Sequence, residues 1–253
     1  MPAPDSSFAP DPMPASIPSG GGNDAAEDAS ARAVVPPAAS DGAAADRARW
    51  LRGAALPLLA VLAALITVVV PLSFPSGGGP TGLDAWLEAR LNGSDGLYRV
   101  LVAPSNAYIV IPLLLGGAVW FASRQLWWRA GFVLLAPEFA IIVNTLVLKP
   151  LWDRPLQHYL AYPSGHTVHL VAVVTAIALA SESARVRVLV AIVTPVVLVA
   201  VAVGMIGLGY HHATDVIGGA AAAVALVAVL YIPVRRVDPT MPEPVTRRSA
   251  PPR

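Results

Sequence analysis

Six long apolar runs occupy residues 54–232, and they restrict the possible fold more than any other feature of the chain. They cover 54–72, about 106–122, 131–148, about 165–181, about 188–209 and about 213–232. A helix needs roughly 20 apolar residues, within a range of about 17–25, to cross a bilayer. The third and fourth runs lie near the lower limit. The runs do not alternate with a period of two, which disfavours a barrel and predicts helices, because a spanning backbone must satisfy its own hydrogen bonds. Composition agrees: 55% of residues are hydrophobic and only 13% charged, against about 25% charged in soluble domains. The expected fold is an all-α integral membrane protein, a six-transmembrane-helix bundle.

The flanks differ in kind. Residues 1–46 are rich in Pro, Ala, Ser, Gly and Asp without apolar periodicity, and 235–253 are basic and proline-rich. Both read as disordered tails around a membrane domain at 47–234. Arginine placement orients that domain. Arg47, Arg49 and Arg52 precede the first run; Arg124 and Arg129, Arg185 and Arg187, then Arg235 and Arg236 follow alternate runs. Six crossings put thirteen basic residues on one side and four (Arg90, Arg99, Lys149 and Arg154) on the other. The N- and C-termini are therefore expected in the cytoplasm of a multi-pass cell-membrane protein. In the loop 73–105, Leu83, Trp86, Leu87 and Leu91 share one helical face and predict a short helix lying on the outer interface.

Three polar clusters meet on the extracytoplasmic face in this topology. They are "KPLWDRP" (149–155), "YPSGH" (162–166) and "GYHHATD" (209–215). Each suits a phosphate. Lys149 is a point charge, and Arg154 has a guanidinium fork that matches phosphate oxygens. Ser164 and Gly165 stand at a predicted helix N-terminus, where backbone N–H groups and the helix dipole favour an anion. His211 and Asp215 are four apart and share a helical face. A carboxylate beside an imidazole fixes its tautomer, and His166 supplies a second imidazole able to act as an acid. The absence of cysteine excludes thiolate chemistry and disulfides, and a net charge of +1 gives no basic surface for nucleic acid.

In order and character these clusters resemble the motifs of the type 2 phosphatidic acid phosphatase superfamily. The resemblance covers 149–219 in motifs and 54–232 in span layout. It implies hydrolysis of a lipid phosphate or pyrophosphate through a phosphohistidine, with no metal or organic cofactor, and with membrane lipids as partners. By the same resemblance His211 is the nucleophile, Asp215 orients it and His166 protonates the leaving group. Lys149, Arg154, Ser164 and Gly165 hold the phosphate. Two departures stand out. The family's arginine–proline pair, seven and eight residues after the lysine, falls on Leu156 and Gln157, so Arg154 matches a position just upstream. The family's serine–arginine pair in the third motif falls on Gly204 and Met205. A lost charge-assisted contact costs roughly 1.5–3 kcal/mol, so a slower or differently selective enzyme is expected. A catalytically inactive lipid-binding relative and a lipid phosphotransferase are the alternatives.

Other polar residues read as structural. His169 is assigned to the core or to support of the site, and His212 to the interface. His158 fits substrate contact and plain exposure equally. Glu138, inside the third run, is expected to partner another group within the bundle. The "GGAAAA" stretch from Gly218 predicts tight helix packing.

Overall fold

The computed structural model describes residues 39–237 and Met241. Contacts divide the chain at residues 45 and 46, and apart from the first residues of α1 all that follows concerns the second unit. Both predicted tails lie largely outside the described residues. Where they overlap them, residues 39–46 and 235–237 are helical.

The structure is helical apart from one small hairpin. Helix α1 spans Ala39–Val69, and its buried residues Leu56, Ala60, Ala63 and Thr67 recur at helical spacing along one side. A short helix α2 (Gly82–Glu88) and α3 (Asp95–Val102) follow, each started by a hydroxyl cap, Thr81 and Ser94. Helices α4 (Ala107–Ser123) and α5 (Trp127–Val143) pack against each other across a short turn. A π-helical turn, Asn144–Leu148, joins α5 to the four-residue α6 (Lys149–Trp152). The hairpin of β1 (Pro155–Leu156) and β2 (Tyr159–Leu160) leads into α7 (Gly165–Ala180), α8 (Ala184–Gly207) and α9 (Ala213–Val237).

Among the described residues, five stretches are long and apolar enough to cross a membrane: 54–73, 95–123, 127–152, 184–207 and 213–237. The protein is a multi-pass membrane protein. Helix α7, expected as a further crossing, has 16 residues, about 24 Å at 1.5 Å per residue. It packs against α4, α5, α8 and α9. Thr167, Val168, Leu170, Val171 and Val173, spread around the helix, are all buried. A helix sheathed by protein has no need to match the lipid thickness, which explains how α7 can be shorter than α4 and α5, at 17 residues each.

Close approach of backbones shapes the site end of the bundle. A Cβ on Gly218 would lie 2.1 Å from the Tyr162 ring, and one on Gly219 would lie 2.8 Å from the Ser164 carbonyl oxygen. The glycines of "GGAAAA" thus seat the Tyr162–Ser164 loop directly on α9. Helix α8 meets α3 in the same way, since a Cβ on Gly204 would lie 2.7 Å from the Tyr98 carbonyl oxygen.

Candidate active site

The three sequence clusters converge at one end of the bundle. The His166 and His211 rings stand 6.5 Å apart, centroid to centroid, at a steep angle. His166 leads the first turn of α7 and is exposed; His211 precedes α9 and is 6% exposed. Asp215, on the first turn of α9, has an Oδ2 atom 3.6 Å from His211 Nδ1. That is longer than a hydrogen bond, and Nδ1 is buried with no bonded partner among the described residues. Catalytic hydrogen bonds are often long before substrate binds. Asp215 itself is held firmly: Oδ2 accepts from the His212 N–H at 2.8 Å, and Oδ1 accepts from Arg154 Nη1 at 2.7 Å.

Arg154 is wholly buried, and all five of its N–H groups are committed. Nε donates to the Gly78 carbonyl, Nη1 to Thr214 Oγ1 and Asp215 Oδ1, and Nη2 to the Gly79 carbonyl and Asp84 Oδ2. Its guanidinium also lies 3.9 Å from the Phe74 ring centroid. The fork expected to face a phosphate therefore faces the protein instead. Gly78 makes this possible. It has a φ of +75°, and a Cβ there would lie 2.7 Å from Pro155 Cδ, a backbone geometry that glycine tolerates.

Asp84, absent from the sequence-based expectations, completes this hub. Its carboxylate accepts from the Thr81 N–H and hydroxyl, the Thr214 N–H and hydroxyl, and Arg154. Burial pushes the Asp84 carboxyl upward, but the N–H groups of Thr214 and Thr81, then Arg154 and the Thr214 hydroxyl, outweigh it and hold the carboxyl below its usual range. The sequence signal for Asp84 was local only: Thr81 and Asp84 form a capping box for α2. Nothing in that pattern points to a partner 70 residues away.

Ser164 and Gly165 take different parts. Ser164 is fully buried; its N–H donates to the Asp215 carbonyl at 3.0 Å and its hydroxyl lies 3.7 Å from Met205 Sδ. Gly165 opens α7 beside the buried Asn144, whose Nδ2 donates to the Pro163 carbonyl and whose Oδ1 has no partner among the described residues. Met205, where the related motif carries arginine, has no exposed surface and joins a core patch with Val201, Leu170 and Val173. Its thioether meets the back of the Ser164 hydroxyl.

Lys149 reaches the site from α6 and donates to the Leu160 carbonyl. Its Nζ lies 6.0 Å from the centroid of the Tyr159 ring, and that ring lies 5.9 Å from the His211 ring. Tyr159, also missed by sequence reasoning, thus forms a wall between lysine and histidine. Its hydroxyl donates to the Tyr210 carbonyl, and Gln157 Nε2 donates to the Gly209 carbonyl at 3.1 Å. These two bonds latch the β1–β2 hairpin to the loop before His211. Burial, then the charges of Asp215 and Tyr210, push the Tyr159 hydroxyl upward, which keeps it protonated and donating. His158 is exposed on the hairpin, and His212 is half-buried. Glu138 and His169 pair at 3.2 Å, deeper between α5 and α7. Among the described residues no group of three or more His, Asp or Glu side chains is arranged to hold a metal.

Fold and site together define a helical membrane protein with two facing histidines, one backed by a carboxylate. The family model described as PAP2 superfamily matches residues 137–238 of the chain. The match contains Lys149, Arg154, Ser164, Gly165, His166, His211 and Asp215. The structure is also similar to the "first transmembrane PAP2 type phosphatidylglycerolphosphate phosphatase from Bacillus subtilis", with a TM-score of 0.57 and 21% sequence identity. That likeness covers 70% of this chain and 96% of the other. At this identity it is a likeness of fold. No curated protein matches the chain.

Proposed function

We propose that the protein is a phosphoric monoester or diphosphate hydrolase acting on a membrane lipid phosphate, through a phosphohistidine. The observation that carries this reading is the pair of imidazoles 6.5 Å apart with Asp215 behind one of them. With its Nδ1–H directed at Asp215, His211 presents a lone pair on Nε2. That lone pair attacks phosphorus, the bond to the leaving alkoxide or phosphate breaks, and His166 donates a proton to the departing oxygen. Neutral His166 then takes a proton from water as the water oxygen displaces His211 from phosphorus. Asp215 supports the positive charge that the His211 ring carries between the two steps. Lys149 and the N–H groups opening α7 at Gly165 stabilise the equatorial oxygens. Arg154 acts through Asp215.

The same reading counts α7 as a sixth crossing. The arginine clusters then set both termini in the cytoplasm and the site on the extracytoplasmic face, within reach of outward-facing headgroups. Phosphatidic acid, phosphatidylglycerol phosphate and polyprenyl phosphates all present the required group. The membrane domain is 47–234, flanked by cytoplasmic tails 1–46 and 235–253. Met205 favours a slower enzyme than one with arginine at that position, because the Ser164 side of the seat gains no charge from α8.

The test uses protein purified in detergent with EDTA present and measures phosphate released from a panel of these lipids. Release from one of them by the parent, and its loss in His211→Asn, is the expected result. Equal rates for parent and variant overturn the mechanism.

A further inference from the structure

The geometry points to Asp84 as a positioning residue, which shares Arg154 with Asp215 so that the Asp215 carboxylate keeps a net negative charge toward His211. This rests on the reading of Asp215 as the group that orients His211.

A guanidinium bonded to a single carboxylate forms a nearly neutral pair. Arg154 Nη1 sits 2.7 Å from Asp215 Oδ1, close enough to cancel most of the charge that His211 would feel. The second carboxylate changes that balance. Arg154 Nη2 is 3.0 Å from Asp84 Oδ2, and all three side chains are fully buried. One cation between two anions leaves a net charge of −1 in the hub. Buried side chains hold this charge away from solvent, where it is screened weakly. The Thr214 hydroxyl ties the three together, accepting from Arg154 and donating to Asp84.

Asp84 is well suited to hold its place. It sits on α2, which packs against α9, and five donors fix its carboxylate. The Leu83 and Trp86 side chains of α2 are exposed on the opposite side, with Arg90 stacked over Trp86 at 3.7 Å. An interfacial helix thereby bears on the electrostatics of the site. The other charged or titratable groups facing His211 are His166 from α7, Tyr159 from β2, Lys149 from α6 behind Tyr159, and the neighbouring Tyr210 and His212.

The experiment reads the His211 tautomer by NMR of the full chain, labelled with 15N-histidine, in detergent micelles at a pH where imidazoles are neutral. His211→Gln assigns the signal. The parent is expected mainly in the Nδ1–H form, directed at Asp215. Asp84→Asn lowers the ratio of Nδ1–H to Nε2–H by about tenfold, the factor that one unit of altered proton affinity represents. Asp84→Glu, which keeps the charge, restores most of the ratio. Thr214→Val removes hub hydrogen bonds at constant charge and leaves the ratio unchanged, which a purely structural role for the hub would not allow. If Asp84→Asn does not fold, the double variant Asp84→Asn/Arg154→Gln leaves Asp215 as the sole charge and returns the ratio to the parent value or above. An unchanged ratio in Asp84→Asn, or a lowered one in the double variant, overturns the proposal. The measurement needs no turnover. A parent that releases no phosphate therefore sinks the hydrolase reading while this test still stands.

Discussion

Arg154 Nη1 donates to Asp215 Oδ1 at 2.7 Å with both side chains sealed from solvent. The arginine reaches α9 from the turn after α6, where Asp153 adopts a left-handed conformation with φ +40°. A residue from one motif is therefore the support for the carboxylate of another.

Arg154→Lys tests how much of the fold depends on that support. Lysine offers three donors where arginine offers five, so at least two of the five acceptors lose this partner. At about 1–3 kcal/mol for each buried group left unsatisfied, and less for the part-buried glycine carbonyls, the variant should lose roughly 1–4 kcal/mol of stability. Thermal unfolding in detergent measures it, and a melting temperature equal to that of the parent contradicts the hub.

Asp84 makes stability dependent on acid. Its folded-state carboxyl is held below the ordinary value of 3.8. Its contribution is therefore fully present above the unfolded value and is lost as pH falls through the lower, folded one. Unfolding measured from pH 7 to pH 2 should show the parent weakening in the acid range. Asp84→Asn should be weaker at neutral pH and show a smaller further loss in acid.

Gly204→Ser restores the residue found in the related motif, and it is expected to harm the protein. The new Cβ would lie 2.7 Å from the Tyr98 carbonyl oxygen and 2.8 Å from the Val102 nitrogen. Both are backbone atoms and cannot rotate away. Overpacking of this kind costs about 1–3 kcal/mol, readable as a lowered melting temperature. An unchanged value means that α3 and α8 part freely.

His166→Asn keeps a polar side chain and removes the proton donor. Loss of a general acid slows a reaction by about 10²–10⁴-fold. Phosphate release should fall by that order with a leaving group of high proton affinity. It should fall much less with an activated aryl phosphate, whose leaving oxygen needs no proton. Equal losses for both substrates argue against the acid role.

Much of this protein was legible in its amino-acid order. Apolar runs of bilayer length set helix positions to within a few residues, because a backbone in lipid has few other ways to satisfy itself. The exceptions were α3, too short and polar to register, and the start of α1, which lies at Ala39 and not near residue 54. His166, His211 and Asp215 were readable as one site because each motif carries its chemistry within a few residues.

Tertiary structure decided what each polar group faces. Arg154 read as a phosphate clamp, since a guanidinium fits phosphate and carboxylate oxygens equally well. Only the fold brings Gly78, Gly79, Asp84, Thr214 and Asp215 around it and uses all five donors. Tyr159 and Asn144 gave no local signal, because their roles come from what packs beside them. Sequence alone pointed to the apolar helices, the membrane and the candidate site residues, which follow from hydropathy and functional-group chemistry. The pairing of buried charges depended on contacts between segments as much as 131 residues apart (Asp84 and Asp215 sharing Arg154), which only the folded bundle makes.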